Sequence, residues 1–389
     1  MKNLETLINE LCPEGVEFKP LWQVTAWDKK FNGVEKKWQQ KIISYPYVLA
    51  KVFDEIEEPS GNVKLLSTGI SDKERWTTEE KAGENLSEGE IVAIPWGGTP
   101  NVKYYKGKFV TADNRIATSL DCSILNNKFL YYWLNNNIKK LAKLYRGAGI
   151  QHPSMKGVLS LDIPLPPIEV QNEIVRILDK FTELEAELEA ELDCRKRQYE
   201  YYRDKLLSFE NVGGQDVEWK KMSEVCKIMN GKDYKHLPNG DIPVYGSGGI
   251  MTHINEYAYN KPSVLIPRKG SIGNLFYVDE PFWTVDTIYW TKINENVIRP
   301  KFLYYFMTTK DLTKMNMAAG VPSLTQSMLN KIKLPIPPLA EQERIVSILD
   351  RFESLTTSLT AGLPAEIAAR RQQYEHYRDQ LLTFKRKSA

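Results

Sequence analysis

The stretch EIVRILDKFTELEAELEAEL at residues 173–192 decides how the chain is organised, because part of it returns near the end of the sequence. Gln171 recurs as Gln342 and Phe181 recurs as Phe352, both 171 residues later. The proline pair at 166–167, which precedes the stretch, recurs at 337–338. Since prolines disfavour helix, each copy reads as an extended hinge followed by a helix. The chain therefore contains an internal duplication.

Apolar residues recur every three or four positions along the first copy: Ile174, Leu178, Phe181, Leu184, Leu188, Leu192, Tyr199, Tyr202 and Leu206. This spacing predicts an amphipathic helix from Gln171 to Phe209. At about 1.5 Å per residue the helix would span about 58 Å, which is longer than a small domain. We expect it to pack lengthwise on its own duplicate as an antiparallel coiled-coil pair with a pseudo-twofold axis.

The middle of the first helix carries a tandem repeat of four residues that starts at Leu184, again at Leu188, and ends at Leu192. One such unit would lengthen a helix by about 6 Å and turn its far end by about 40°. The repeat can therefore adjust the length of a spacer, although an exposed glutamate face is an equally ordinary interpretation. In the second copy Gly362 and Pro364 predict that one helix ends and another begins.

Two globular regions surround the helices, and both open on a similar pattern, VEFKPL at 16–21 and VEWKKM at 217–222. Short β-rich runs alternate with turns in both regions, so each is predicted to be an α+β domain. We predict five parts, which are an N-terminal helix at 1–15, a first domain at 16–160, a hinge and central long helix at 161–210, a second domain at 211–331, and a hinge and C-terminal long helix at 332–389.

Composition points to a globular protein, with 42% hydrophobic and 26% charged residues in a chain of 389. There is no apolar run of the length that a membrane span needs and no apolar start typical of a signal peptide, so we expect a cytoplasmic protein without a membrane partner. The four cysteines form no Cys-x-x-Cys pair, and we expect buried thiols rather than a zinc site or disulfides.

The formal net charge of +2 gives no overall argument for nucleic acid, but cations cluster locally. Between Asp121 and Asp162 there is no acidic residue, and the cations there are Lys128, Lys139, Lys140, Lys143, Arg146 and Lys156. The corresponding segment of the second region contains Arg299, Lys301, Lys310, Lys314, Lys331 and Lys333 with the single acid Asp311. Two equivalent basic surfaces suit two places on one polyanion, whereas solvated lysines are the plainer alternative.

Two turns between strand-like runs are candidates for reading bases, at 95–101 and 267–273. The first offers Trp96 and Thr99, and the second offers Arg268, Lys269 and Ser271. Arginine suits a bidentate contact with guanine, and glycine allows close approach of the backbone. A plain tight turn explains either segment as well. Asp113 and Asp286, which precede strand-like runs, are interpreted as structural.

No motif for catalysis or metal binding is present in the sequence. There is no phosphate-binding Gly-x-x-x-x-Gly-Lys loop, and the proline pairs lack the Asn or Asp that precedes them in adenine methyltransferases. The four histidines have no metal-like spacing. We therefore predict neither a catalytic residue nor a metal site. Two alternatives stay open at this point, a coiled-coil scaffold that does not bind DNA and a stand-alone nuclease whose carboxylates meet only on folding.

The duplicated hinge, the Ile-Val-x-Ile-Leu-Asp segments, the four-residue repeat and the Gln-Tyr-x-x-Tyr-Arg-Asp ends at 198–204 and 373–379 together resemble the DNA specificity subunit of type I restriction-modification systems. The resemblance covers essentially the whole chain and is greatest to the subgroup with four-residue repeats in the central helix. It implies two target recognition domains that read a split site on double-stranded DNA.

The resemblance also implies partners for the chain. Two adenine methyltransferase subunits, and in the restricting complex two motor-nuclease subunits, would dock on it. S-adenosylmethionine, ATP and Mg²⁺ would then belong to those subunits, and this chain would bind no cofactor.

Overall fold

The computed structural model describes residues 4–70, 74–209, 217–315, 323–357 and 362–387. The chain divides into two compact units. The first unit comprises residues 1–186 and 369–389, and the second comprises residues 187–368. Each unit therefore contains one globular α+β part together with sections of the long helices.

The first globular part is built from short helices around a sheet. Its helices are α1 (Leu4–Leu11), α2 (Leu21–Val24), α3 (Val52–Ile56), α4 (Glu79–Ala82), α5 (Asn127–Asn136), α6 (Ile138–Ala142) and α7 (Met155–Leu159). Its strands are β1 (Glu17–Pro20), β2 (Thr25–Asp28), β3 (Ile42–Ile43), β4 (Val63–Leu66), β5 (Trp76–Thr77), β6 (Ser87–Pro95), β7 (Lys103–Thr111), β8 (Asn114–Ser119), β9 (Tyr145–Arg146), β10 (His152–Pro153) and β11 (Asp162–Leu165). The long helix α8 (Ile168–Leu207) follows.

The second globular part repeats this arrangement with fewer helices. Its strands are β12 (Glu218–Lys221), β13 (Cys226–Asn230), β14 (Asn239–Gly246), β15 (Gly249–Ile254), β16 (Ser263–Pro267), β17 (Phe276–Val278), β18 (Trp283–Thr284), β19 (Ile288–Ile293) and β20 (Lys333–Ile336). Its helices are α9 (Met222–Val225), α10 (Pro300–Thr308) and α11 (Gln326–Asn330), and the chain continues with α12 (Leu339–Thr357) and α13 (Gly362–Leu381).

The two sheets share a four-strand order. In the first unit the order β3-β2-β8-β6-β7-β4-β5 contains the series β2-β8-β6-β7, and in the second unit the series β13-β19-β16-β17 forms a separate sheet. Each unit also has one equivalent parallel pair, in which Leu66 on β4 faces Thr111 on β7 and Tyr245 on β14 faces Thr284 on β18. The second of these pairs belongs to a separate sheet with the order β15-β14-β18. The duplication seen in the sequence is therefore also a duplication of strand topology.

One amphipathic helix covers the core of each globular part. In α5 the Asn126 side chain accepts hydrogen bonds from the amides of Lys128 and Phe129, which satisfies donors at the start of the helix. The helix then buries an apolar face that includes Phe129 and Leu130. In the second unit α10 starts with proline at its first position and buries Phe302 and Leu303.

A buried glutamine fastens each proline hinge to the globular part beside it. Gln171 Nε2 donates to the carbonyl oxygens of Pro166 at 2.8 Å and Ile124 at 2.7 Å, and its Oε1 accepts from Asn126 N at 2.9 Å. Gln342 repeats the three bonds with Pro337, Val297 and Arg299 at 2.8, 3.0 and 2.7 Å. Because both glutamines are fully buried, each bond replaces one to water and fixes where the long helix begins.

The long helices pair through equivalent aromatic rings in the two units. In the first unit Phe181 on α8 stacks on Tyr377 on α13, with ring centroids 5.7 Å apart. In the second unit Phe352 on α12 stacks on Tyr202 on α8, also at 5.7 Å. Further along the first pair, Glu185 contacts Arg371, which makes α8 and α13 antiparallel. In each pair, the first half of one copy of the long helix therefore packs against the second half of the other copy.

These features confirm the predicted fold class of two related α+β domains with an antiparallel helical spacer. The long helix starts three residues before and ends two residues before the predicted limits at 171 and 209. The five predicted parts of the chain stay an interpretation, since the compact units divide the chain inside the long helices. The prediction of four buried thiols was wrong for Cys122 and Cys194, which are exposed, and right for Cys12 and Cys226.

Candidate nucleic-acid interface

Three loops of the first unit meet at one edge of its sheet, and we define the residues 67–70, 96–101 and 145–152 as the first rim. Gly98 N donates to Gln151 O at 3.0 Å, which joins the second and third loops. Asn101 Nδ2 donates to Thr68 O at 3.0 Å, which joins the first and second. The predicted turn at 95–101 therefore lies beside the end of the basic segment.

The second unit contains a matching second rim, defined by residues 247–249, 268–274 and 323–326. Leu324 N donates to Arg268 O at 2.9 Å. Asn274 Nδ2 lies 3.4 Å from Ser247 O and so repeats the contact that Asn101 makes in the first rim. The recurrence of this side-chain bond shows that the rims are equivalent parts of the duplicated fold.

A cation–π pair occupies each rim, with the two partners exchanged. Pro95 faces Asn114 and Pro267 faces Ile288, so the strand register makes Trp96 equivalent to Arg268 and Arg115 equivalent to Tyr289. The guanidinium of Arg115 lies 3.9 Å from the Trp96 ring centroid, and that of Arg268 lies 5.4 Å from the Tyr289 ring centroid. The first rim thus carries an aromatic loop residue where the second carries a cation.

An ionic cluster lies directly under Trp96 in the first rim. Asp113 Oδ1 accepts from Lys29 Nζ at 3.0 Å and from Arg115 Nη1 at 2.8 Å. Burial opposes ionisation of Asp113, but these two bonds outweigh it and lower the pKa of its carboxyl. The neighbouring Asp28 is buried, and burial raises its pKa to about 6 even though Ile116 N donates to it at 2.7 Å.

The predicted DNA-binding residues occupy the surfaces of the two rims and the helices next to them. Trp96 is half-buried, as is Arg268. The exposed ones are Lys139, Lys140, Lys143, Arg146, Thr99, Lys269, Ser271, Lys310 and Lys314. Arg146 forms β9 within the first rim. Lys310 lines a cleft of about 340 Å³ together with Gly273 and Asn274 of the second rim.

Some cations of the two basic segments face the protein instead of the surface. Lys128 Nζ lies 2.8 Å from Asp179, and Lys301 Nζ lies 2.9 Å from Asp350 on the equivalent helix. Arg299 pairs with Glu343 at 2.7 Å. Because their charges are matched by carboxylates of the long helices, these three residues are removed from the predicted basic surfaces. The number of cations in the two segments therefore overestimates the positive charge that is available to DNA phosphates.

The predicted spacer residues lie in the middle of the continuous helix α8 and at the start of α13. Leu184 is 39% exposed, and Leu188 and Leu192 are half-buried, so other side chains cover the leucines of the repeat only in part. Helix α12 ends at Thr357 and α13 starts at Gly362, whose φ is +74°. A Cβ at this position would lie 2.7 Å from Ser354 O, so glycine is required there. Pro364 lies in the first turn of α13.

Within the residues that the structure describes, no group of three or more His, Cys, Asp or Glu side chains could hold a metal ion. In the same part of the chain no helix is both long and apolar enough to cross a membrane.

Comparison with known proteins places these features in a family. The family model for the type I restriction modification DNA specificity domain matches the chain twice, at residues 49–193 and 214–369. The chain is a type I restriction-modification specificity subunit. The first match covers the first globular part from residue 49 onward and the second covers the second globular part, and each includes a section of the long helices, so the family repeat follows the duplication described above.

Named relatives agree with this assignment of the specificity subunit. A Haemophilus influenzae protein named as a type I restriction enzyme specificity subunit, S.HindORF215P, is 35% identical over 335 residues, which cover 76% of this chain and 83% of that protein. The Escherichia coli EcoR124I/EcoR124II specificity subunit is 34% identical over 305 residues, which cover 69% of this chain and 74% of that protein. The function of DNA sequence recognition follows from this membership.

Solved structures agree in fold. A type I restriction-modification S subunit from M. genitalium has a TM-score of 0.60 at 19% identity, and the match covers 94% of this chain and 95% of that one. A chain from a study of complex assembly and conformational transition of the type I R-M system has a TM-score of 0.52 at 16% identity, with coverages of 85% and 96%.

Proposed function

We propose that the subunit reads a bipartite target on double-stranded DNA, with one half-site for each rim. The observation that carries the proposal is the recurrence of the rim in both units, down to the equivalent bonds of Asn101 and Asn274. Each rim adjoins exposed cations, which suit phosphates, and its loops carry side chains that suit base edges. Two such readers in one chain address two separate groups of base pairs.

The paired long helices set the unread gap between the half-sites in this proposal. A buried glutamine and a lysine–aspartate ion pair fix each globular part to the long helices. In the first unit these are Gln171 and the pair Lys128–Asp179. A fixed attachment lets the length of a helix determine a distance along DNA. The repeat from Leu184 to Leu192 is where that length can vary.

The chemistry would be supplied by partner subunits. We propose two methyltransferase subunits, which transfer a methyl group from S-adenosylmethionine to adenine N6, and two restriction subunits that use ATP and Mg²⁺ in the restricting complex. This chain would supply the address, hold no cofactor and contribute no reacting group. The proposal rests on family membership, because the relatives are named as specificity subunits of such systems.

The experiment is single-molecule methylome sequencing of cells that express the chain with its methyltransferase partner. The expected result is one split motif, methylated in both halves. In a matched variant, residues 16–160 are replaced by the corresponding domain of another specificity subunit, and only one half of the motif should change. If both halves change, or if the motif is continuous, the proposal of two independent readers is wrong.

A further inference from the structure

Asp113 is a partly exposed carboxylate next to the first rim, beside its loop residue Trp96. Its backbone oxygen accepts from Trp96 N at 3.0 Å, so the residue and the rim loop are fixed to each other. Lys29 and Arg115 both donate to its side chain at Oδ1. Among the described residues Oδ2 has no hydrogen-bond partner, and the side chain is 37% exposed. One acceptor atom therefore has a fixed orientation and an unused hydrogen-bonding capacity, on a side chain that is partly exposed.

The two cations are themselves held in place by aromatic rings. Arg115 is 7% exposed and stacks on Trp96, while its Nε has no hydrogen-bond partner among the described residues. Lys29 Nζ lies 3.7 Å from the Tyr47 ring centroid. Lys29 also has a φ of +62°, a conformation that costs a lysine about 1 kcal/mol or more. Such strain is kept where the surrounding structure needs one orientation of a side chain.

A carboxylate on a surface that binds DNA is repelled by phosphates. Lys29 and Arg115 offset that repulsion for Asp113, and a free carboxylate oxygen on such a surface suits a base edge that donates hydrogen bonds. An ionised carboxylate only accepts, and in the major groove the donors are the exocyclic amino groups, N4 of cytosine and N6 of adenine. Resting on the proposed function of the first rim, we infer that Asp113 Oδ2 accepts a hydrogen bond from the amino group of a cytosine or adenine in the half-site of the first unit.

The second rim lacks this device. The register of β16 with β19 places Thr287 where the first unit has Asp113, since Pro267 faces Ile288 as Pro95 faces Asn114. Asp286, which follows Thr284 and Val285 as Asp113 follows Thr111 and Ala112, is exposed, and no cation bonds to it among the described residues. Tyr289 takes the place of Arg115, and the loop residue is the cation Arg268. At this point of the fold the first unit therefore has a carboxylate held by two cations, whereas the second has the cation Arg268 beside the Tyr289 ring.

Exchange of Asp113 for asparagine gives a sharp test. Lys29 and Arg115 require an acceptor at the Oδ1 position, so the amide oxygen of the variant is held there and its NH₂ group replaces Oδ2. The acceptor thus becomes a donor. At one position of the first half-site, Asp113→Asn should shift the preference from an amino base to a keto base, guanine or thymine, by about tenfold. The half-site of the second unit should not change.

The measurement is competition binding by the complex of the full chain with its methyltransferase partner, on duplexes of the mapped target with each first-half base varied. Asp113→Glu is the matched control, because it keeps the charge and should keep the amino-base preference at reduced affinity. An unchanged preference in Asp113→Asn, or an equal loss on every sequence, would overturn the inference.

A second measurement needs no variant. In duplexes bound by the wild-type complex, each adenine or cytosine of the first half-site is replaced by its analogue without the amino group, purine or 2-pyrimidinone. Affinity should fall about tenfold at one position, and a loss below about threefold at all positions would overturn the inference. Either failure leaves the two-reader proposal intact, since that proposal is tested separately and fails if domain replacement changes both halves of the motif or if the motif is continuous.

Discussion

Asp179 accepts the phenolic hydrogen of Tyr132, which ties the closing helix of the first globular part to the long helix. The O–O distance is 2.5 Å, and Lys128 contacts the other carboxylate oxygen at 2.8 Å. The second unit repeats the pair, with Tyr305 2.6 Å from Asp350 and Lys301 2.9 Å from it. A recognition domain can report a distance along DNA only if it is fixed on the helix, and this group of three side chains helps to fix it.

We expect Tyr132→Phe to lower the free energy of unfolding of the first unit by about 1–2 kcal/mol, because it removes a hydrogen bond to a charged acceptor that is partly exposed. Urea unfolding followed by tryptophan fluorescence measures this. Tyr47→Phe is the control, since Tyr47 is exposed and its hydroxyl has no hydrogen bond among the described residues. Equal unfolding midpoints for the two variants would show that the bond to Asp179 does not fix the domain.

The pKa of Asp28 gives a prediction about pH. Burial raises this pKa from 3.8 to about 6, so between these values the folded chain holds a proton that the unfolded chain has lost. The free energy of unfolding is therefore expected to fall by about 2–3 kcal/mol in total as pH rises from about 4 to about 6, and to stay level above pH 6. Asp28→Asn should remove this slope while keeping an acceptor for Ile116 N. Unfolding of both chains at pH 4.5 and 7 measures the difference, and parallel curves would contradict it.

The parts of this structure that could be predicted from the sequence are those that residues close together in the chain determine. The apolar spacing of α8 and the prolines of each hinge are local signals, and both were interpreted correctly. Which loops form a rim is not a local property, because Asn101 bonds to Thr68 across 33 residues. The ion pair of Asp113 with Lys29 is likewise not a local property, since the two residues are 84 positions apart. The match of the turns at 95–101 and 267–273 agrees with the strand register, which makes Trp96 equivalent to Arg268.

Residues that contact bases and residues that contact phosphates should respond differently to substitution. Arg268→Ala is expected to relax the half-site of the second unit at one position, by about 1–3 kcal/mol of discrimination, because a bidentate donor is lost. Lys140→Ala on the exposed end of α6 should weaken binding to all sequences alike and lower the salt slope by about one. Fluorescence anisotropy over a salt series, on the target and on a scrambled duplex, separates the two. An equal effect of Arg268→Ala on both duplexes would make Arg268 a phosphate contact.

The last prediction concerns the length of α8. One extra Leu-Glu-Ala-Glu unit after Glu191 adds about 6 Å to a continuous helix, nearly two base-pair steps of about 3.4 Å. We therefore expect the unread gap to grow by one or two base pairs while both half-sites stay the same, as read by methylome sequencing. The exposed turn at Asn32 and Gly33 provides the control, because the same four residues inserted there lengthen no helix and should leave the gap unchanged. A folded α8 variant that keeps the original gap would show that something other than helix length sets the spacing.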